Sequence, residues 1–211
     1  EAAKKDKNKI MQALQHYAKF GHNSRFRDVV SRERLEEIRC EEMTDKMKSL
    51  FSFPYEIFFY GIDFESFKLY SRPYVKPETL KIPERKIYPE PETKGKVYFV
   101  DYDMVQMEMA KVGRGNLVDT KNFGKINVFN EYFGSGLSSI VFQEIRESKS
   151  LAYSAYVSYQ ANPELQHPDY ITTYVGTQPD KLGIAVETMS DLLNELPQVE
   201  IQFNNSKNAA L

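Results

Sequence analysis

The sequence predicts an α+β fold, a mostly antiparallel sheet covered by helices on one face. Three observations carry that reading. From residue 96 onward, segments of period 2 and period 3.6 follow one another in the order β-β-α-α-β-β-α. Each helical segment in that stretch has its apolar residues on one side, so it has a face to bury. The chain has 14 Tyr, 14 Phe and no Trp, and the tyrosines recur on the strands. There a ring can pack on one side while its hydroxyl stays wet or bonded, as on a half-exposed sheet or a wall that grips extended peptide.

The elements follow in order. Residues 3–20 read as a helix, with Ile10, Ala13, Leu14 and Tyr17 on one face and Gly21 as a stop. Ser31 opens a second helical stretch with Leu35 and Ile38 inward. Met43, Met47 and Leu50 continue the spacing as core filling. Pro54 precedes an apolar run, 55–61, that reads as a buried strand. Residues 73–95 hold five of the ten prolines among Lys and Glu, the composition of an extended, semi-rigid connector. The expected organisation is thus a helical and strand tail of a preceding domain at 1–72, a linker at 73–95, and the first part of an α+β domain at 96–211.

Within 96–211, residues 96–113 alternate in two segments around a polar turn and read as a β-hairpin. Asp119 is an N-cap for a helix with Phe123, Ile126, Phe129 and Phe133 inward, broken at Gly134 and Gly136. A second helix turns Leu137, Ile140, Val141 and Ile145 to one side. Strands at 151–160 and 170–177 follow. Thr177 and Asp180 form a variant capping box for a helix bearing Leu182, Val186, Met189, Leu193 and Leu196, ended by Pro197. The last residues, IQFNNSKNAAL, read as the opening of another helix, and the chain as a fragment of a larger protein.

Composition excludes several function classes. A net charge of −2 offers no basic field for nucleic acid. No apolar run approaches the ~18 residues of a membrane span. The expectation is a soluble protein, cytoplasmic or periplasmic. Cys40 is the only cysteine, so neither an internal disulfide nor a cysteine zinc cluster can form, and a structural thiol is the default reading. His16, His22 and His167 belong to no HxxEH or HExxH motif, so no metal ligands are assigned in this chain. The GSG at 134–136 follows a helix and lacks a GK[ST] ending, so it reads as a helix-breaking turn and not a phosphate loop. Ser138 and Ser139 have no histidine partner for serine catalysis.

The residues with most chemical interest are Arg146, at the end of a helix, and Tyr153, seven positions on at the start of a strand. That geometry can aim a pH-independent cation and a phenol hydroxyl at one spot beyond the sheet edge. Residues 134–153, GSGLSSIVFQEIRESKSLAY, resemble the pitrilysin/insulinase family of inverzincin zinc metallopeptidases, which includes the mitochondrial processing peptidases. The family's non-catalytic domain carries a glycine-rich turn followed by two serines, an Arg-Glu pair and a Gly-Leu-x-Tyr ending. Gly134, Gly136, Ser138, Ser139, Ile145, Arg146, Glu147, Leu151 and Tyr153 match it. Ser150 stands where the family has Gly, and Ile140-Val141 where it has Arg-Leu.

The resemblance implies a processing-peptidase-like fold, in a clamshell whose first domain binds zinc through HxxEH. It further implies that Arg146 grips a substrate backbone carbonyl and that Tyr153 is catalytic, donating a hydrogen bond to the oxyanion. The expected partners are an unfolded peptide held as an added strand and the zinc-bearing N-terminal half of the parent, in the same chain or a partner subunit. Zinc is then a cofactor of the parent and not of this chain, which alone is expected to be inactive. A different class of reading is a non-catalytic subunit or scaffold that keeps the fold without proteolysis.

Overall fold

The computed structural model describes residues 5–72, 81–92, 95–117, 119–162 and 167–210. In chain order the helices are α1 (Lys7–Phe20), α2 (Arg32–Glu37), α3 (Cys40–Ser49), α4 (Phe64–Ser71), α5 (Phe123–Phe129), α6 (Leu182–Asn194) and α7 (Glu200–Ala209). The strands are β1 (Met107–Leu117), β2 (Ser154–Gln160) and β3 (Pro168–Thr177). The chain divides into one unit formed by Glu1–Lys19 with Glu92–Leu211 and another formed by Phe20–Pro91.

In the first unit β3 is the central strand of an antiparallel sheet in the order β1-β3-β2. Alternation decides its faces. Ala155 lies opposite Val175 and Val157 opposite Thr173 across the β2–β3 ladder. These residues point to the helical side, where Val157 and Val175 are fully buried beside Phe133, Ile145, Ala185 and Met189. Burying a side chain of this size contributes about 1.5–3 kcal/mol, so this layer carries the unit. α5, its π-helical continuation Asn130–Gly134, the segment Phe142–Ser148 and α6 all contribute to it. α7 is tied on through Tyr132, whose hydroxyl donates to the Pro197 carbonyl at 2.6 Å and accepts from the Val199 N–H at 2.8 Å. The structure is therefore α+β, as the alternation predicted.

Two details fix the approach of helix to sheet. A Cβ on Gly134 would lie 2.0 Å from the Val157 carbonyl oxygen, so only glycine lets the π turn touch β2. Asn130, from the same turn, donates to the Tyr159 carbonyl at 2.9 Å and accepts from the Tyr159 N–H at 2.8 Å. One amide thus satisfies both backbone groups of an edge-strand residue.

The opposite sheet face carries Tyr170, Thr172 and Tyr174. Tyr156 stacks on its cross-strand partner Tyr174 with ring centroids 5.0 Å apart. Glu108 accepts from Lys7 of α1 at 2.9 Å, and Lys19 of α1 lies 4.2 Å from the centre of the Tyr170 ring. Burial, the nearby Glu108 charge and a hydrogen bond to Glu108 push the Tyr174 phenol well above its ordinary pKa.

The expected hairpin at 96–113 does not form. Residues 107–117 are a strand, but their partner is β3, and 95–106 hold no strand. Alternation specifies a strand's period and not its partner. Leu137, expected to face inward, is exposed. Thr177 does not cap the following helix: its hydroxyl donates to the Leu151 carbonyl instead, and the 3₁₀ turn Pro179–Lys181 leads into α6 without a side-chain cap.

The second unit holds α2, α3 and α4. Ser31 caps α2, accepting from the Arg34 N–H at 3.2 Å, and Asp63 caps α4, accepting from the Ser66 N–H at 3.0 Å. Asp28 joins Lys86 and accepts from the Tyr88 hydroxyl at 2.7 Å. The run 55–61 forms no strand, and Phe58 and Tyr60 are exposed. Phe59 folds back onto α4 instead, stacked 4.4 Å from Phe67. Leu35, Met43, Met47 and Leu50 are exposed, so the methionine stripe is not core, and Cys40 is exposed too. Helical spacing puts residues on a common face, but a face becomes core only when another element covers it. Of the connector expected at 73–95, residues 73–80 and 93–94 lie outside the described residues; 81–92 carry no helix or strand. Among the described residues no helix is long and apolar enough to cross a membrane.

Candidate functional site

Arg146 lies on a helical segment that begins at Ile140 and winds as π-helix over Phe142–Ser148. Ser139 starts it. Its hydroxyl donates to the Gly136 carbonyl at 2.9 Å and accepts from the Phe142 N–H at 3.3 Å, while Gly136 makes the turn at φ +99°. The Ser139 hydroxyl is thus occupied in helix capping. Val141 and Ile145 are fully buried and fix the rotation of the segment, which turns Arg146 outward. Its guanidinium lies 4.7 Å from the Phe142 ring centre, and its Nε lies 3.7 Å from Glu147 Oε1. A half-exposed pair of this kind is worth about 0–1 kcal/mol, little enough to be exchanged for a substrate oxygen.

The segment ends in a left-handed turn. The Lys149 N–H donates to the Glu144 carbonyl at 3.2 Å and the Leu151 N–H to the Ile145 carbonyl at 2.9 Å, with Ser150 between them at φ +47°. Ser150 therefore holds a backbone conformation that suits glycine. The chain then enters the sheet at Tyr153, whose N–H donates to the Gly176 carbonyl at 2.9 Å. Its ring is about half exposed, 53%.

Arg146 and Tyr153 line one open cleft of about 370 Å³. Its far wall is the end of β3 and the turn into α6, which the sequence reading assigned no part in the site. Four hydrogen bonds join the walls. Besides the Tyr153 N–H and the Thr177 hydroxyl, Gln178 Nε2 donates to the Tyr153 phenol oxygen at 2.8 Å, and Lys181 Nζ donates to the Ser150 carbonyl at 3.1 Å. The GTQPDK stretch showed a helix start, but strand pairing alone brings it against Ser150–Tyr153. The arrangement offers a guanidinium, a phenol and a primary amide around one solvent-open space, with a hydrocarbon floor from Leu151 and Ala152. It can bind and polarise a carbonyl oxygen. Among the described residues no group of three or more His, Cys, Asp or Glu could hold a metal, so these residues do not fit a zinc site.

A family model described as the peptidase M16 inactive domain matches residues 56–202, more than two thirds of the chain. A Bacillus subtilis (strain 168) protein named "Uncharacterized zinc protease YmxG" is 37% identical over 83 residues, covering 38% of this chain and 20% of that protein. Among solved structures, a peptidase M16 inactive domain from Pseudomonas fluorescens superposes with a TM-score of 0.67 at 14% identity. It covers 99% of this chain and 52% of its own. A protease from Helicobacter pylori gives 0.54 at 16% identity, over 84% of this chain and 44% of its own. At such identities these two likenesses show the fold. The chain spans about half the length of the solved structures it matches and a fifth of the curated relative. With the motif at 134–153 and the sheet built around it, the chain belongs to the peptidase M16 inactive-domain family.

Proposed function

We propose that this domain serves a zinc metalloendopeptidase by gripping the peptide and stabilising the oxyanion, opposite a zinc site carried elsewhere in the parent. The observation that carries the reading is the convergence of Arg146 and Tyr153 on one cleft. The B. subtilis relative's name, a zinc protease, supports the activity of the parent. The metal is assigned to residues outside this set, because those described do not fit it.

Arg146 binds a backbone carbonyl of an unfolded peptide through a charge-assisted hydrogen bond. Tyr153 donates its phenol hydrogen to the scissile carbonyl oxygen, a bond that strengthens as negative charge develops there. Donors of this kind act because they are already oriented when charge appears. The floor of Leu151 and Ala152 keeps one side of that oxygen dry.

The test is peptide cleavage by the full-length, zinc-loaded parent, comparing wild type with Arg146→Ala and Tyr153→Phe. A fall in kcat of about 10²-fold or more with zinc retained is the expected result. Unchanged rates in an active parent return both residues to surface and sheet roles. An inactive wild type moves the protein to the non-catalytic subunit or scaffold class.

A further inference from the structure

We infer that Gln178 is a positioning residue that holds the Tyr153 phenol with its proton aimed into the cleft. The inference rests on the oxyanion reading above and names a residue that neither the motif nor the family match assigns.

The argument starts from hydrogen-bond capacity. A phenol oxygen has one hydrogen to donate and lone pairs to accept with. Gln178 Nε2 donates to it at 2.8 Å, which occupies the accepting side. The phenol's own hydrogen must then point elsewhere. The hydroxyl faces a cleft open to solvent, so that is where the hydrogen is available. Accepting a hydrogen bond also polarises the O–H and strengthens it as a donor.

The orientation of Gln178 is set by tertiary structure. The residue before it, Thr177, is 1% exposed and donates its hydroxyl to the Leu151 carbonyl. The residue after it, Pro179, starts the 3₁₀ turn that leads into α6, and Lys181 from that turn reaches the Ser150 carbonyl. Gln178 is thereby held between two points fastened to the segment that carries Tyr153. Without the amide, the phenol rotates about its C–O bond, and its hydrogen spends time donating to water or to a neighbouring carbonyl.

The experiment uses the full-length zinc-loaded parent and measures kcat and KM for wild type, Tyr153→Phe, Gln178→Ala, Gln178→Glu and the Tyr153→Phe/Gln178→Ala double variant. Gln178→Ala should lower kcat about two- to tenfold, the range for one net hydrogen bond, with KM nearly unchanged. In the Tyr153→Phe background it should have no further effect. Gln178→Glu supplies a readout that a structural role would not move. An ionised carboxylate accepts the phenol hydrogen and draws it out of the cleft, whereas a protonated one can donate as the amide does. Activity relative to wild type should therefore recover as pH falls through the carboxylate range.

A fall for Tyr153→Phe with wild-type kcat for Gln178→Ala overturns the inference and leaves the oxyanion reading standing. So does an additive double variant, or a flat Gln178→Glu to wild-type ratio across pH. Wild-type activity in Tyr153→Phe, or an inactive parent, overturns both.

Discussion

Ser150→Gly should stabilise the protein, although it deletes a side chain. Among the described residues Ser150 is the non-glycine residue with positive φ, at +47°, and the turn it makes is fixed on both sides by the Lys149 and Leu151 N–H bonds. Holding an L-residue in the left-handed region costs roughly 1–2 kcal/mol. Glycine removes that strain and gives back about 0.5–1 kcal/mol through the extra freedom of its unfolded chain. The difference is a gain of about 0.5–1 kcal/mol. With a urea m-value near 2 kcal/mol/M, the midpoint should rise by about 0.3–0.5 M, and the melting temperature by about 1–4 °C. Equilibrium urea unfolding followed by tyrosine fluorescence and circular dichroism reads this directly. Ser150→Ala should be close to neutral, and Ser150→Val should destabilise, because β-branching is poorly tolerated at positive φ. A Ser150→Gly protein with an unchanged or lower midpoint would refute the reasoning, since the strain could not then reside at this backbone position.

Other predictions follow from neighbouring geometry. Gly134→Ala should destabilise by ~3 kcal/mol, or block folding, because its Cβ would sit 2.0 Å from the Val157 carbonyl oxygen and backbone must move. Chemical denaturation or loss of soluble expression reads it. Asn130→Ala should cost about 2 kcal/mol through two lost hydrogen bonds to Tyr159, and amide exchange at the Tyr159 N–H should accelerate selectively. Stability should fall as pH rises above tyrosine's ordinary pKa of about 10, because the folded-state pKa of Tyr174 is raised: the unfolded chain loses this proton first, so the contribution is complete below pH 10 and is lost above it. Tyr174→Phe should flatten that alkaline slope relative to wild type in denaturation series between pH 8 and about pH 11.

Residues near each other in sequence carried the readable part of the molecule. The α+β class, the helix N-cap at Ser31, the buried positions Phe133, Val141 and Ile145, and the Arg146/Tyr153 pair all rest on local period or spacing. The N-cap of α4, Asp63, has no such signal in the sequence reading, which assigns no helix at 64–71. Period 3.6 and period 2 are properties of one element, so they are legible in one dimension.

Three matters were decided by the tertiary structure. The partner of β1 is β3, some fifty residues on, because a ladder is chosen by the whole sheet and not by the nearest alternating segment. Met43, Met47 and Leu50 lie exposed because a helical stripe is buried only where something covers it. The second wall of the cleft, Thr177, Gln178 and Lys181, stands against Ser150–Tyr153 through hydrogen bonds between residues 25 to 31 apart in sequence. By itself the sequence determined that a cation and a phenol stand seven residues apart on a helix-to-strand turn. Only the fold decided which side chain stands beside that phenol, because a contact across a sheet has no period to announce it.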